Sequence, residues 1–314
     1  MLMLCLQIHD HATAQRSFAN HQPFSKEFEL KVISSGNNFP DFKINREERQ
    51  SLLVALHMGI PLAHFKSATP LDDSELEAVI SFLLSKNWLN QESDRYKPNV
   101  FIATQKDGNR LYEYARPLSD QIAQSIKVQL PKIKADFEKT EISKKQSFEE
   151  WSFFVLSNVL LDNWQITNIE KGFLGQPVRP LRHGKHYYAA LLEANKDRES
   201  FGIYGNQYGK VSVYGNHRKV ADVSSTSYHV SHEDNAIFNG MAKGFLPVLL
   251  QILNNNKTFC MNVYRESGYA EEIAFGEFFM WWYHFIYTQA TDKMAKMEML
   301  QIPETGNFVY TIEE

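Results

Sequence analysis

Residues 72–89 read DDSELEAVISFLLSKNWL, and this stretch predicts one amphipathic helix. Its apolar side chains recur every three or four residues, as on the core-facing side of a helix, at Leu76, Val79, Ile80, Leu83 and Leu84. Asp72 or Asp73 is expected to cap the first turn, because a carboxylate there accepts unpaired backbone N–H groups. The helix carries four carboxylates and a single lysine, so its formal charge is −3.

Two shorter helices are predicted ahead of this stretch. Asn45 is predicted to cap the first of them, and Gly59 ends it. The core-facing residues of this first helix are Leu52, Leu53 and Leu56. A second, shorter helix is predicted from Pro61 to Ala68.

A hairpin and a long helix are predicted after residue 89. Polar residues 91–97 indicate a turn, and the run Val100–Thr104 is expected to be the return strand of a hairpin. Thr104 is expected to cap a helix that continues through Gly108. The order of helix, short helix, turn, longer helix and hairpin, with Thr-x-x-x-Gly opening a further helix, resembles the winged helix-turn-helix of transcriptional regulators of the MarR and ArsR type. The resemblance covers residues 46–116, under a quarter of the chain.

The resemblance implies DNA binding through the third helix and the wing, commonly by dimers. The residues that could then contact duplex DNA are Ser74, Ser81, Ser85, Lys86, Arg95 and Lys97. Phosphate contacts require cations, yet Asp73 and Glu77 also lie on the outward side of the third helix, and residues 41–127 carry a net charge of −1. An alternative therefore remains open, in which the acidic helix binds a basic protein partner instead of DNA.

Length and composition indicate a folded protein of two domains. A hydrophobic fraction of 43% suits a globular chain, and the net charge of −4 provides no global attraction to nucleic acid or anionic lipid. Residues 1–40 are expected to be a poorly ordered arm, 41–145 a winged-helix domain with its connecting helix, and 146–314 an α+β domain with an antiparallel sheet and long helices. Two cysteines exclude a disulfide framework and suit the cytoplasm.

No apolar run is long enough to predict a membrane span. The nearest run, Ile273–Tyr287, contains Glu277 and His284 and is predicted to be a buried helix.

The connecting helix is predicted from Leu111 to about Lys139. Pro117 and Pro131 should kink or divide it, because proline lacks the N–H that a helix interior needs. Its apolar stripe is Leu118, Ile122, Ile126, Leu130 and Ile133. This stripe could pack on its own domain or form the seam of a homodimer, and both readings remain open.

The second half is predicted to contain helices and strands, with a basic loop after its first helix. Strands are predicted at 186–192, 200–204, 210–214 and 307–312, the last at a sheet edge. The repeated Tyr-Gly-Asn at 204–206 and 214–216 is expected to form hairpin turns of an antiparallel meander. Helices are predicted at 147–161, at 233–253 with Ser231 as its cap, and at 269–297.

The basic loop Lys171–His186 is the stretch best suited to hold an anion. A pocket for a small anionic effector is expected to use Arg179, Arg182, His186, Tyr188, Tyr204 and Tyr214. An enzyme of hydrolase type using Glu277, His284 or the cluster at His229 is a less favoured alternative. That cluster lacks the order of a zinc protease motif, and the chain has no dinucleotide or Walker A fingerprint, so neither metal nor cofactor is expected.

Overall fold

The computed structural model describes residues 26–44, 47–176, 178–195, 200–217 and 228–313. Helices make up 54% and strands 17% of the structure, and the strands form several small sheets, so the protein belongs to the predicted α+β class. The predicted cap Asn45 and residues 1–25 of the predicted arm lie outside the described residues.

The described residues include helices at the following positions: α1 Glu47–His57, α2 Leu62–Ala68, α3 Asp73–Ser85, α4 Gln105–Phe137, α5 Phe148–Phe153, α6 Ile166–Gly172, α7 His232–Asn255, α8 Lys257–Glu266 and α9 Phe275–Lys296. Their strands are β1 Phe28–Ile33, β2 Leu89–Glu92, β3 Arg95–Pro98, β4 Phe101–Ala103, β5 Leu181–Arg182, β6 Lys185–His186, β7 Tyr188–Glu193, β8 Tyr204–Tyr208, β9 Val211–Gly215, β10 Tyr228–Val230 and β11 Asn307–Ile312.

The third predicted helix is present as α3, and its N-terminal cap is Asp72. The Asp72 carboxylate accepts the Glu75 backbone N–H at 2.8 Å, and the Glu75 side chain accepts the Asp72 N–H at 2.9 Å. This reciprocal pair satisfies two donors that the helix itself leaves unpaired. Leu76, Ile80 and Leu83 are buried, as their spacing predicted.

The hairpin after α3 consists of β2 and β3, and both strands precede the run that the sequence indicated as the return strand. β2 and β3 pair antiparallel around a turn in which Ser93 has a φ of 54°. The predicted return strand, Val100–Thr104, is wrong, because Phe101–Ala103 forms β4 and pairs in parallel with β7. β4 is buried on both faces, so it lies inside the protein and not in an exposed wing.

Strand β7 forms a wall between two hydrophobic cores. Tyr188, Ala190 and Leu192 face the core built mainly on α4 and α9. Ala189 and Leu191, together with Tyr187 just before the strand, face the core built on α1, α2 and α3. Because one strand contributes to both cores, the predicted boundary between residues 145 and 146 does not separate two independent domains.

The last part of the predicted N-terminal arm is a strand. β1 pairs antiparallel with β7 and forms the edge of a three-stranded sheet of order β1-β7-β4. The prediction of a poorly ordered arm is therefore wrong for Phe28–Ile33. Pairing with a strand more than 150 residues away leaves no local sign in the sequence of the arm.

Helix α4 runs for 33 residues without interruption, starting at the predicted cap Thr104. Pro117 and Pro131 lie inside it, so they do not divide the helix, and the alternative that they kink it stays a prediction. Leu118, Ile122 and Ile126 are fully buried, and α4 packs along α9 and α7 of the same chain. This packing explains how the helix tolerates two prolines. It also makes the apolar stripe of α4 part of the core of the chain, so the stripe is unavailable as the seam of a homodimer.

The second sheet has four strands in the order β10-β11-β9-β8. β11 lies inside this sheet and pairs in parallel with β10, so the prediction of an edge strand is wrong. The predicted antiparallel pairing is confirmed for β8, β9 and β11, whereas β7 belongs to the other sheet. The repeated Tyr-Gly-Asn segments do not turn. They pair with each other across β8 and β9, and the turn between them is at Gly209, whose φ is +63°.

The C-terminal helices surround α9, which is buried along most of its length. Ser231 caps α7 as predicted, and α8 is an additional helix that the sequence pattern did not indicate. α9 begins at Phe275, six residues later than predicted. Among the described residues, α7 is the one helix long and apolar enough to cross a membrane by length and composition. It packs against α4 and α6 of the same chain.

Candidate functional site

A cleft of about 1250 Å³ lies between the edge strand β1 and the four-stranded sheet. One wall is formed by the consecutive residues 30–36, and the opposite wall includes residues 204–207 of β8. Arg179, Asp162, Trp281 and His284 also line it. These residues come from five separate parts of the sequence, which only the folded chain brings together.

Arg179 is held in position by a carboxylate and retains one unused donor. Its Nε and Nη2 donate to the two oxygens of Glu170 at 2.7 and 3.3 Å. The His186 ring donates from Nδ1 to the Arg179 carbonyl at 2.9 Å, which orders the backbone at this point. Arg179 Nη1 is buried and has no hydrogen-bond partner among the described residues.

The aromatic part of the cleft contains a second donor without a partner. Trp281 is 1% exposed, and its Nε1 has no partner in the described structure. Trp281 and Tyr204 lie 5.5 and 5.3 Å from the His284 ring, centroid to centroid. Burial lowers the pKa of His284 to about 4, although its Nδ1–H bond to the Met280 carbonyl opposes this. His284 is therefore neutral at pH 7, with Nε2 as an acceptor.

Asp162 is a buried carboxylate that lines the cleft. Burial raises the pKa of Asp162 to about 7, and a hydrogen bond from the Tyr287 hydroxyl opposes the shift. The Tyr287 oxygen is 2.9 Å from Asp162 Oδ2 and 2.6 Å from the Ile203 carbonyl. Since one hydroxyl hydrogen cannot serve both acceptors, the protonated form of Asp162 suits this arrangement by donating to Tyr287.

The structure brings together two of the six predicted effector ligands, Arg179 and Tyr204. Arg182 is 1% exposed and pairs with Glu277, so the expectation that it binds an effector is wrong. The Tyr214 hydroxyl is buried against Ser157 at 2.6 Å. Tyr188 is buried in the core and His186 bonds to Arg179, so neither lines the cleft. A basic loop in a sequence does not show which of its cations a buried carboxylate will neutralise.

Sequence reasoning missed Asp162, Trp281 and the β1 residues of the cleft. An aspartate directly after the apolar run Phe153–Leu161 was a usable signal, because a carboxylate there must be buried or must end the helix. This segment includes a π-helical turn, Phe154–Val159, between α5 and Asp162. No local signal linked β1 to the cleft.

The residues predicted to contact DNA lie on α3 and the hairpin, away from the cleft. Ser74, Ser81 and Ser85 are exposed on α3, and Arg95 is exposed on β3. Lys97 instead pairs with Glu92 at 3.0 Å and with Glu271 at 3.1 Å, and hydrogen bonds to these two carboxylates raise its pKa. Lys86 lies 5.0 Å from the centroid of the Phe42 ring.

The polar groups proposed for catalysis or metal binding do not form one centre. Glu277 pairs with Arg182, whereas His284 lies in the cleft. His229 bonds to Thr311, and Asp234 accepts the backbone N–H of Glu141 at 2.7 Å. Over the residues that the structure describes, no three His, Cys, Asp or Glu side chains gather in a manner that could hold a metal ion.

Comparison with protein-family models, with curated proteins and with solved structures finds no match to this chain. The fold and the cleft define an α+β protein with a helix-and-hairpin unit at residues 47–98 and a ligand-sized cavity between two sheets. What the protein does must therefore be inferred from the chemistry of these two features.

Proposed function

We propose that this protein is a ligand-responsive, winged-helix regulator of the cytoplasm. In this proposal residues 47–98 form the winged-helix unit, and the cleft binds a small anionic effector. The order of α1, α2, α3 and the β2–β3 hairpin supports the first part. Cys260 is a free, buried thiol, which suits a reducing compartment.

The observation that carries the proposal is the pair of buried donors without partners at the cleft. Arg179 Nη1 and Trp281 Nε1 belong to residues that line the same cavity. A buried donor without an acceptor costs about 1–3 kcal/mol, and more where the group is charged. A ligand that places carboxylate or phosphate oxygens at these donors would recover that energy, and the bond from Arg179 Nη1 would be charge-assisted, since Glu170 occupies only the Nε and Nη2 donors.

Strand β7 offers a physical route from the cleft to the winged-helix unit. β1 lines the cleft and pairs with β7. Immediately before β7, the Tyr187 hydroxyl accepts a hydrogen bond from Trp88 Nε1 at 2.9 Å, and Trp88 lies between α3 and β2 in the winged-helix core. A ligand that binds at β1 would thus act on a sheet that shares a hydrophobic core with α3.

Anion binding is tested by thermal unfolding with a panel of mono- and dicarboxylates and phosphate monoesters. A probe present at 100 times its dissociation constant is expected to stabilise the native protein by about 2.7 kcal/mol. Arg179→Gln should abolish this shift, and Arg179→Lys should retain only part of it because lysine lacks the planar fork. Arg95→Gln, at an exposed arginine on β3, is the matched control. A panel without any shift, or a shift that survives Arg179→Gln, would refute the effector site.

For the winged-helix unit, the side-chain contacts favour a basic protein partner over duplex DNA. The outward side of α3 presents Glu77 and Asp73, of which Asp73 pairs with Lys66, and the nearby cations Lys97 and Lys86 are also engaged within the chain. Carboxylates repel DNA phosphates, whereas they attract lysine and arginine on a protein surface.

The native protein is accordingly expected to show no affinity for a labelled mixed-sequence duplex even at about 50 mM salt. The double variant Asp73→Lys with Glu77→Lys should gain salt-dependent binding, because it changes the charge of the outward face by four units. Fluorescence anisotropy measures both, and Glu138→Lys with Glu149→Lys, two exposed sites away from α3, is the control with the same change in total charge. Binding of the native protein that weakens steeply with salt would instead favour the DNA function that the family resemblance implies.

A further inference from the structure

The cleft lies between the open edges of two β-sheets. β1 is the terminal strand of the three-stranded sheet, and β8 is the terminal strand of the four-stranded sheet, within the part of the chain that the structure describes. Consecutive residues of both strands line the cleft, 30–33 of β1 and 204–207 of β8. An open strand edge presents backbone donors and acceptors that another strand can pair with.

The register of β1 identifies which backbone groups point into the cleft. The Ala194 N–H donates to the Glu27 carbonyl at 2.8 Å, and the register continues through Glu29↔Leu192 and Lys31↔Ala190. Hydrogen-bonded pairs alternate along an antiparallel ladder, so every second residue directs its N–H and C=O away from the partner strand. In β1 these outward residues are Leu30 and Val32, and both line the cleft.

The same reasoning applies to β8. Gly209 and Lys210 form a two-residue turn between the paired residues Tyr208 and Val211. The pair that flanks such a turn is hydrogen-bonded, so the outward backbone groups of β8 are those of Gly205 and Gln207. Both residues line the cleft. Two sets of outward-directed backbone groups therefore border one cavity.

We propose that the ligand of this cleft is an extended peptide with acidic side chains, which pairs as a β-strand with the outward edge of β1 or β8. This inference rests on the proposed anion-binding function and specifies its ligand. The part of β1 that lines the cleft is residues 30–33, a length of about 13 Å at the rise of a strand, which suits about four residues of extended peptide. Main-chain pairing of this kind provides affinity, and side-chain pockets provide selectivity.

Charge selects acidic side chains. The cationic residues that line the cleft are Lys31, Arg179 and Lys210, and the carboxylates that line it are Asp162 and Glu313. Burial raises the pKa of Asp162 to about 7, so this carboxyl is half neutral at that pH. Arg179 already pairs with Glu170, and Lys31 lies 3.6 Å from Glu29, so the preference for acidic side chains comes from Lys210 and from Arg179 Nη1, which has no partner among the described residues. In a strand, alternate side chains of the peptide would point toward these cations and toward the aromatic wall at Trp281.

The test uses a labelled, acetylated and amidated hexapeptide of alternating Glu and Val with the full-length protein. The proposal expects saturable binding by fluorescence anisotropy and slower hydrogen exchange at the amides of Val32 or Gln207. A peptide with an N-methyl group at every residue should bind at least tenfold more weakly, because none of its residues can donate a backbone N–H to a strand edge. A peptide with Lys in place of Glu should also bind more weakly.

Val32→Pro supplies a variant that acts on the protein side. Proline removes the outward N–H of Val32, and β1 can accept it because Pro is tolerated at strand edges where the N–H is not paired. Peptide affinity is expected to fall at least tenfold if β1 is the pairing edge, and Gln207→Pro tests β8 in the same way. Val32→Thr keeps the N–H and is the matched control. The peptide inference is overturned if neither proline variant weakens binding.

The outcomes separate this inference from the function on which it rests. If dicarboxylates bind through Arg179 but no peptide slows exchange at the strand edges, the peptide inference fails and the anion site stands. If neither class of probe binds, both fail. If the edge amides become protected as protein concentration rises without peptide, and sedimentation shows a dimer, a second copy of the chain occupies the edge and the inference is again overturned.

Discussion

Glu277→Gln is expected to lower the free energy of unfolding by about 3–5 kcal/mol, because it leaves a buried guanidinium without its counter-charge. Arg182 and Glu277 are 1% and 2% exposed, and their Nη2 and Oε2 atoms lie 2.5 Å apart. Arg182 also donates to the carbonyls of Tyr187 at 2.9 Å and Asn99 at 2.5 Å. The pair thus joins α9 to the loop before β4 and to the start of β7.

The second oxygen of Glu277 accepts the Ala189 N–H at 3.2 Å, which glutamine can still do through its own oxygen. Burial raises the pKa of Glu277, and the Arg182 guanidinium and this N–H counteract part of that rise. The cost of the substitution therefore comes from the unpaired charge on Arg182, since shape and most hydrogen bonds are retained.

Chemical denaturation followed by circular dichroism measures the effect, and an exposed ion pair supplies the control. Glu149→Gln breaks the pair with Lys134, whose side chains are 63% and 43% exposed, and should change stability by no more than about 0.5 kcal/mol. Combining Glu277→Gln with Arg182→Met removes both charges and should recover part of the loss. A Glu277→Gln protein as stable as the native one would show that the buried pair does not hold these elements together.

Stability is expected to fall by about 3 kcal/mol as pH rises from 6.5 to 9, because His57 loses its proton over this range. His57 is the last residue of α1 and lies between two carboxylates, with Nδ1 2.8 Å from Glu272 and Nε2 3.4 Å from Asp107. Burial by itself would lower the pKa of His57, but hydrogen bonds to Asp107 and Glu272 outweigh it and raise the pKa to about 9.

The direction of this pH dependence follows from the proton balance. The unfolded chain loses the imidazole proton near pH 6.5 and the native protein near pH 9, so the contribution is complete below 6.5 and lost above 9. Burial would raise the pKa of Asp107, yet hydrogen bonds from His57 and Thr104 lower it to about 2. The Asp107 contribution is therefore present above its ordinary pKa of 3.8 and lost as pH falls toward 2.

Unfolding free energies measured by denaturation at several pH values between 6 and 9 test the prediction. His57→Gln should be less stable than the native protein at pH 6 and should lack most of the decline toward pH 9. His64→Gln, at an exposed histidine on α2, should retain the decline. An unchanged pH profile in His57→Gln would assign the decline to other groups.

Local features of this protein were predictable because the atoms involved lie within a few residues of each other. Asp72, Thr104, Ser147 and Ser231 cap α3, α4, α5 and α7, and each accepts a backbone N–H from three residues further on. The apolar spacing in α3 and α9 predicted helices for the same reason. Burial of α9 also followed, because it is apolar nearly all round.

Strand pairing was predicted poorly, because a strand does not specify its partner. The run Val100–Thr104 was correctly identified as extended, but its pairing with β7 depends on residues 188–193. The repeated Tyr-Gly-Asn segments predicted turns from their Gly-Asn pairs, whereas the turn formed at Gly209 between them. In both cases the outcome depended on which strands pair with each other in the folded protein.

The sequence by itself determined the class of fold, the helices and their caps, since these depend on spacing and on hydrogen bonds over three or four residues. Tertiary structure alone decided that Arg182 pairs with Glu277 away from the cleft while Arg179, paired with Glu170, lines it, and that β1 and β8 border one cavity. The reason is physical: the charge state and accessibility of a polar group depend on what is packed around it, and those neighbours come from distant parts of the chain.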